Sequence, residues 1–93
     1  MKKTSADEIA GVLQIKKSRS LEATMKASLI AAILKQVETL GMTHADLALS
    51  SGLPRSAVTG ILSGSLQKVT LDRVLRLVDA AGLTAEVKIK KIV

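Results

Sequence analysis

One short segment of the chain carries side chains suited to hydrogen bonding with an anionic partner. In residues 43–64, apolar residues recur at helical spacing, and the positions between them include Arg55, Ser56, Thr59 and Ser63. Guanidinium and hydroxyl groups form hydrogen bonds with base edges and with phosphate oxygens. None of these outward residues is acidic, whereas a helix pair with a purely structural role more often carries charges of both signs. The segment therefore favours binding to nucleic acid.

Two short helices joined by a sharp turn would position these side chains. Leu47 and Ala48 give the first helix its inward face, and Gly52 can adopt a positive φ at the turn without strain. Pro54 pre-sets a helical φ where the second helix starts. The inward residues of that second helix follow at i, i+3 and i+4, namely Val58, Ile61 and Leu62. This spacing predicts a helix-turn-helix, whose second helix can lie in the major groove of DNA.

Composition narrows the class of partner. The chain has 93 residues, enough for one domain, and a formal net charge of +6, which favours an anionic partner. It has no cysteine, which excludes disulfides and thiolate metal sites. It also has no Phe, Trp or Tyr, the residues on which bases stack in most modules that bind single strands. Duplex DNA is therefore the expected nucleic acid.

Neither a catalytic site nor a metal site is expected. The sequence contains no Ser-His-Asp set, no carboxylate cluster and no phosphate-binding glycine loop. His44 is the only histidine, no cysteine exists to help it bind zinc, and Asp46, two residues later, points to a different side of a helix. A phosphate contact at a helix N-terminus is the better interpretation of His44. We expect a protein that is not an enzyme and holds no cofactor or metal.

No membrane segment is expected either. The longest apolar run, residues 27–34, is far shorter than the roughly 20 residues that a spanning helix needs. Lys2 and Lys3 are followed by no long apolar stretch before Lys16, so a cleaved signal peptide is not expected.

Helical patterns flank the central segment on both sides. From residue 21, apolar residues recur every three or four positions and form one stripe along a helix. They are Met25, Leu29, Ile30, Ile33, Val37 and Leu40. Thr70 is the expected N-cap of a further helix, whose buried stripe would be Leu71, Val74, Leu75, Val78 and Ala81. The predicted fold is therefore mainly all-α, with four to five helices in a domain over residues 21–83.

The first twenty residues have a mixed pattern and are predicted to form an N-terminal arm. Ser5 and Glu8 have the spacing of a capping box for a short helix, whereas residues 11–16 fit a short strand equally well. Residues 16–20 form a basic run, for which a solvated hinge is a better interpretation than a phosphate-binding arm.

The last ten residues, 84–93, have the alternation of a half-buried strand. Ala85, Val87 and Ile89 alternate with Glu86, Lys88 and Lys90. A lone strand is not stable in water, so this one needs a partner. Three partners are open: residues 13–15 of the same chain, the same strand of a second subunit, or another protein. We predict pairing across a homodimer, with Val87, Ile89 and Ile92 in the interface.

These residues resemble those of the XRE or Cro-like helix-turn-helix family, the phage-repressor type, and most closely its small antitoxin members of the HigA and HipB kind. The resemblance covers about residues 29–89. It is carried by Met42-Thr43, Asp46-Leu47-Ala48, Gly52-Leu53, Val58-Thr59, Ile61-Leu62-Ser63-Gly64 and Val69-Thr70-Leu71-Asp72-Arg73-Val74. It implies a lambda-repressor-like fold and a homodimer that represses transcription from a palindromic operator in double-stranded DNA.

The resemblance also implies which residues contact DNA. Arg55, Ser56 and Gly60 fall where the family places base-contacting residues, and because Gly60 has no side chain, specificity should depend mostly on the other two. The family usually has Gln where this chain has His44, and a Ser or Thr cap where it has Pro54. The predicted DNA-binding set is Thr43, His44, Pro54, Arg55, Ser56, Thr59, Gly60, Ser63 and Lys68.

Two functions from different classes follow from the resemblance. One is a repressor, expected to be the antitoxin of a type II toxin-antitoxin pair that regulates its own operon. The other is a protein-interaction module whose main role is to bind and neutralise a partner toxin, and a stand-alone phage-type regulator is a further alternative. Either would be a cytoplasmic protein, encoded by a bacterium or a phage, and associated with the nucleoid when bound to DNA.

Overall fold

Four helices make up the regular structure of the chain. A computed structural model describes the backbone of residues 6–64 and 69–92 and the side chains from residue 17 onward within these ranges. The helices are α1 (Ala6–Leu40), α2 (His44–Ser51), α3 (Arg55–Leu62) and α4 (Leu71–Ala80). No strand occurs in the described ranges. The all-α prediction is therefore confirmed.

α1 is much longer than predicted. It runs without interruption through 35 residues, about 50 Å at 1.5 Å per residue, and so includes the described part of the predicted N-terminal arm. The short strand considered for residues 11–16, and for Leu13–Ile15 as a pairing partner, is wrong because these residues are helical. A helix satisfies its backbone hydrogen bonds within one segment, whereas a strand needs a neighbour. The predicted cap at Ser5 lies outside the described residues.

α2 and α3 are joined by the predicted sharp turn. Gly52 has a φ of 73° and its backbone N–H donates to the carbonyl of Ala48 at 3.0 Å, which ends α2 in a left-handed cap. Leu53 follows and is buried, and Pro54, with φ of −61°, precedes α3. The turn thus changes the direction of the chain within a few residues, and α3 packs against α2.

The core contains side chains from all four helices. The fully buried ones are Ile33 of α1, Leu47 of α2, Val58 of α3, and Val74 and Leu77 of α4. α1 packs against α3 and α4, and α2 packs against α3 and α4. Because both short helices are held by this shared core, the outward side of α3 has a fixed orientation relative to α2.

The predicted inward faces are correct for α2 and α3 and partly wrong for α1 and α4. Val58, Ile61 and Leu62 are buried, but Met25, Leu40 and Leu75 are exposed. Leu77 is buried in place of Leu75, since α4 has more leucine and valine residues than one face can hold. In α1, Lys26 lies in the interior, only 7% exposed, and its Nζ pairs with Glu22 Oε1 at 2.8 Å.

The described C-terminal residues, 83–92, contain neither helix nor strand. The strand predicted for residues 84–93 is therefore not a strand in the single chain, which offers the segment no neighbouring strand. Residues 85–87 line one side of an apolar groove of about 360 Å³, whose other walls are α1 and α4. Val87, Ile89 and Ile92 are exposed, the last two at 92% and 90%. Pairing of this segment across a dimer stays a prediction.

Candidate nucleic-acid interface

The outward side of α3 carries the predicted DNA-contacting residues. Arg55, Ser56, Thr59 and Ser63 are exposed, and Gly60 is half-buried. α3 itself contains no acidic residue, and Arg55 is its single charged side chain. The face is therefore hydrogen-bonding and positively charged, as a surface for an anionic polymer should be.

Arg55 and Ser56 are the least engaged members of this face. Neither side chain makes a hydrogen bond or an ion pair with any other residue in the described ranges. Both belong to the first turn of α3, which enters the groove first when a recognition helix docks. Their polar groups are therefore available to a ligand without breaking contacts inside the protein.

Pro54 leaves the start of α3 without a side-chain cap, as expected for a residue with no polar side chain. Its carbonyl accepts from Ala57 N at 3.0 Å and Val58 N at 3.1 Å, which leaves the amides of Arg55 and Ser56 without an intrahelical partner. Unpaired amides and the positive end of a helix dipole favour an anion. The absent cap thus suits a helix end that meets phosphate.

Thr43, by contrast, uses its side chain within the protein. Its Oγ1 accepts from Asp46 N at 3.1 Å, while its own N–H donates to Asp46 Oδ2 at 2.8 Å, which forms a reciprocal capping box. Two hydrogen bonds with Thr43 lower the pKa of the Asp46 carboxyl below its ordinary value of 3.8. The larger effect comes from the backbone of Thr43 and the smaller from its side chain. Thr43 and Asp46 fix the start of α2 and so the position of His44.

His44 contacts α3 directly. Its Nδ1 lies 2.9 Å from Thr59 Oγ1, so a hydrogen bond joins the first residue of α2 to the exposed face of α3. Sequence reasoning did not predict this contact, because no motif links two residues that are 15 positions apart across a turn. His44 is half-buried and Thr59 is exposed. The bond places an imidazole beside the predicted base-contacting residues.

The other predicted residues lie farther along the chain. Ser63 Oγ donates to the Gly60 carbonyl at 2.8 Å, so this hydroxyl proton is used at the end of α3. Lys68 lies outside the described residues. Val87 lines the groove beside α1 and α4, and Ile89 and Ile92 are exposed in the C-terminal segment that follows it.

Comparison with known protein families settles what this pair of helices is. A family model described as "Helix-turn-helix domain" matches residues 6–90. The chain belongs to this helix-turn-helix domain family. The match starts where α1 starts and includes most of the C-terminal segment, so both are part of the domain. A comparison with curated proteins finds no significant match, and neither does one with solved structures.

A helix-turn-helix domain binds duplex DNA through its second helix, which here is α3. None of the described helices is both long enough and apolar enough to cross a membrane.

Proposed function

We propose that this helix-turn-helix protein is a sequence-specific repressor that binds a palindromic operator as a homodimer. The main support for the proposal is that Arg55 and Ser56, at the uncapped start of α3, make no side-chain hydrogen bond or ion pair in the described ranges. This supports the proposal because the N-terminal residues of the second helix of a helix-turn-helix contact base edges. The free backbone amides of the same two residues favour an anion such as phosphate.

In this proposal, α3 lies in the major groove and the protein occludes the operator. Arg55 donates two hydrogen bonds to the N7 and O6 of a guanine, the commonest specific contact, and Ser56 and Thr59 contact neighbouring bases. Gly60 supports a close approach of DNA. Glycine inside a helix costs about 0.5–1 kcal/mol relative to alanine, and a Cβ at Gly60 would meet no atom within 4 Å inside the protein.

The homodimer is proposed because one α3 reads only a few base pairs. Two copies related by a two-fold axis would place their recognition helices about 34–36 Å apart on a palindrome. Support comes from the exposed apolar side chains of the C-terminal segment, which are costly to leave in water as a group. Pairing of residues 84–92 from two copies would cover Val87, Ile89 and Ile92.

A second candidate function is neutralisation of a partner toxin. The groove between α1, α4 and residues 85–87 supports it, since Met25 and Leu75 line the groove and are exposed. An antitoxin of a type II pair would combine both functions, since it would bind its toxin and repress its own operon. Purification of the chain with a co-expressed small toxin from the neighbouring reading frame would favour this candidate over a stand-alone phage-type regulator.

We also propose that the protein acts without catalysis and without a cofactor, in the cytoplasm of a bacterium, where operator DNA is accessible. The side chains proposed to act, an arginine and short hydroxyl residues, are donors and acceptors for binding.

The proposal is tested by binding to the DNA upstream of the protein's own reading frame at several salt concentrations. We expect tighter binding to that fragment than to a scrambled fragment of equal length, and an affinity that falls linearly with the logarithm of salt concentration. Equal affinity for both fragments at every salt concentration would overturn sequence-specific repression.

A further inference from the structure

The hydroxyl of Thr59 differs from those of two other helical threonines in the chain. Thr24 Oγ1 donates to the Ser20 carbonyl at 2.9 Å, and Thr39 Oγ1 donates to the Lys35 carbonyl at 2.8 Å. These bonds to the carbonyl four residues earlier are the usual local bonds of threonine in a helix. Among the described residues Thr59 makes no such backbone bond, and its Oγ1 is instead 2.9 Å from His44 Nδ1.

The contact between His44 and Thr59 allows two directions of donation. A neutral imidazole has one nitrogen that donates and one that accepts. If Nδ1 carries the proton, it donates to Thr59 Oγ1; if the proton is on Nε2, Nδ1 accepts the hydroxyl proton of Thr59, which among the described residues is donated to no backbone carbonyl. In the second arrangement, Thr59 is left with oxygen lone pairs and a methyl group on the exposed side of α3.

We propose that His44 sets the hydrogen-bonding polarity of Thr59, so that Thr59 accepts a hydrogen bond from a base but does not donate one. Thr59 is then a specificity-determining residue, and His44 is a positioning residue that acts through it. This inference rests on the proposed function, because it concerns how the same α3 face distinguishes operators.

Because the four bases differ in the donors and acceptors on their edges, this polarity predicts a preference among them at one operator position. In the major groove, cytosine presents an amino donor, adenine an amino donor beside its acceptor N7, thymine a methyl group beside its acceptor O4, and guanine only the acceptors N7 and O6. A Thr59 oxygen that only accepts pairs with the amino groups, and its methyl group packs against that of thymine. Facing guanine, it places lone pairs against lone pairs. Guanine should therefore be disfavoured at the base that Thr59 faces.

The test measures the affinity of the full-length protein for operators in which each half-site position is varied through all four bases. For wild type we expect one symmetric position at which guanine weakens binding about tenfold and the other three bases are tolerated. In His44→Ala the Thr59 proton is released, so the guanine penalty there should fall to about twofold or less. The preference at the position read by Arg55 should not change.

Two further variants separate polarity from shape. Thr59→Val keeps the branched shape without the hydroxyl, so it should retain tolerance of thymine and lose the advantage of adenine and cytosine. His44→Glu keeps side-chain acceptors and no donor at the start of α2, so it should restore the guanine penalty that His44→Ala removes, while its charge should weaken binding to all four bases alike. A profile that is the same in wild type and His44→Ala would overturn the inference, as would the absence of any guanine penalty in wild type.

The tautomer is measured independently of DNA. In alkaline buffer, the ¹⁵N shifts of the His44 ring in the free protein should show a protonated Nε2 and an unprotonated Nδ1. The opposite tautomer would overturn the inference while leaving the proposed function intact. Failure of wild type to prefer any operator would instead contradict the proposed function itself.

Discussion

His44 Nδ1 lies 2.9 Å from Thr59 Oγ1, so the two helices of the helix-turn-helix are joined at their exposed side as well as in the core. In the core, Leu47 of α2 and Val58 of α3 are both fully buried. The relative position of α2 and α3 is thus fixed from two directions. α3 is therefore held in one orientation relative to α2, which fixes the backbone positions of Arg55 and Ser56.

Because α2 is attached to the core through Leu47, substitutions of two leucines of α2 should differ strongly in their effect on the free energy of unfolding. Leu47→Ala should lower the free energy of unfolding by about 2–5 kcal/mol, because Leu47 is 0% exposed and its removal leaves a cavity. Leu49→Ala is the matched control: Leu49 is 88% exposed, and its loss should change stability by no more than about 0.5 kcal/mol. Denaturant unfolding of both variants checks this prediction, and equal effects would show that α2 is not anchored by Leu47.

Because of the capping box, part of the free energy of unfolding should depend on pH in the acid range. Hydrogen bonds from Thr43 lower the pKa of Asp46 below 3.8, so its charged form stabilises the folded state above that pH. This contribution should be lost as the pH falls through the lowered pKa of the folded state.

Asp46→Asn is the comparison for the capping box, since it keeps an acceptor that does not titrate. Unfolding midpoints measured from about pH 7 to about pH 2.5 should show wild type losing stability relative to this variant only below about pH 4. A difference between the two proteins that is independent of pH would contradict the role given to the Asp46 carboxylate.

Much of the helix-turn-helix could be predicted from the sequence. Gly52, Pro54 and the spacing of Val58, Ile61 and Leu62 are local signals, and each has a local physical cause in turn geometry or helix periodicity. They therefore predicted α2, α3 and the exposed positions of Arg55 and Ser56.

What the sequence did not predict depends on contacts between distant parts of the chain. The length of α1 was missed because a short alternating pattern in residues 11–16 fits a strand as well as a helix. The burial of Leu77 in place of Leu75 depends on how α4 rotates against the core. The bond between His44 and Thr59 requires the α2–α3 crossing, which no pattern of residue types specifies.

The proposed homodimer has twice the mass of a single chain, and sedimentation can detect this difference. At micromolar concentration we expect the sedimentation coefficient of a dimer, and with operator DNA a complex of two chains per palindrome. A monomer both with and without DNA would contradict the proposed homodimer.

The C-terminal segment is predicted to hold the dimer together. Deletion of residues 84–93 should weaken self-association and, with it, operator binding. Helical content should stay nearly unchanged, because the described part of the segment, residues 84–92, contains no helix. Circular dichroism and sedimentation of the same sample check both parts. If the truncated chain remains dimeric and binds the operator normally, the segment is better explained as an edge to which a toxin or other protein adds a strand.

The central claim, that α3 reads DNA through Arg55, is tested most directly by comparing Arg55→Ala with Arg73→Ala on operator and random DNA. Both variants remove one exposed positive charge, but Arg73 belongs to α4. Arg55→Ala should weaken operator binding by about 1–3 kcal/mol and random-DNA binding much less, whereas Arg73→Ala should affect the two DNAs alike. An equal loss on operator and random DNA for Arg55→Ala would show that Arg55 contacts only phosphate or nothing, and would contradict the claim.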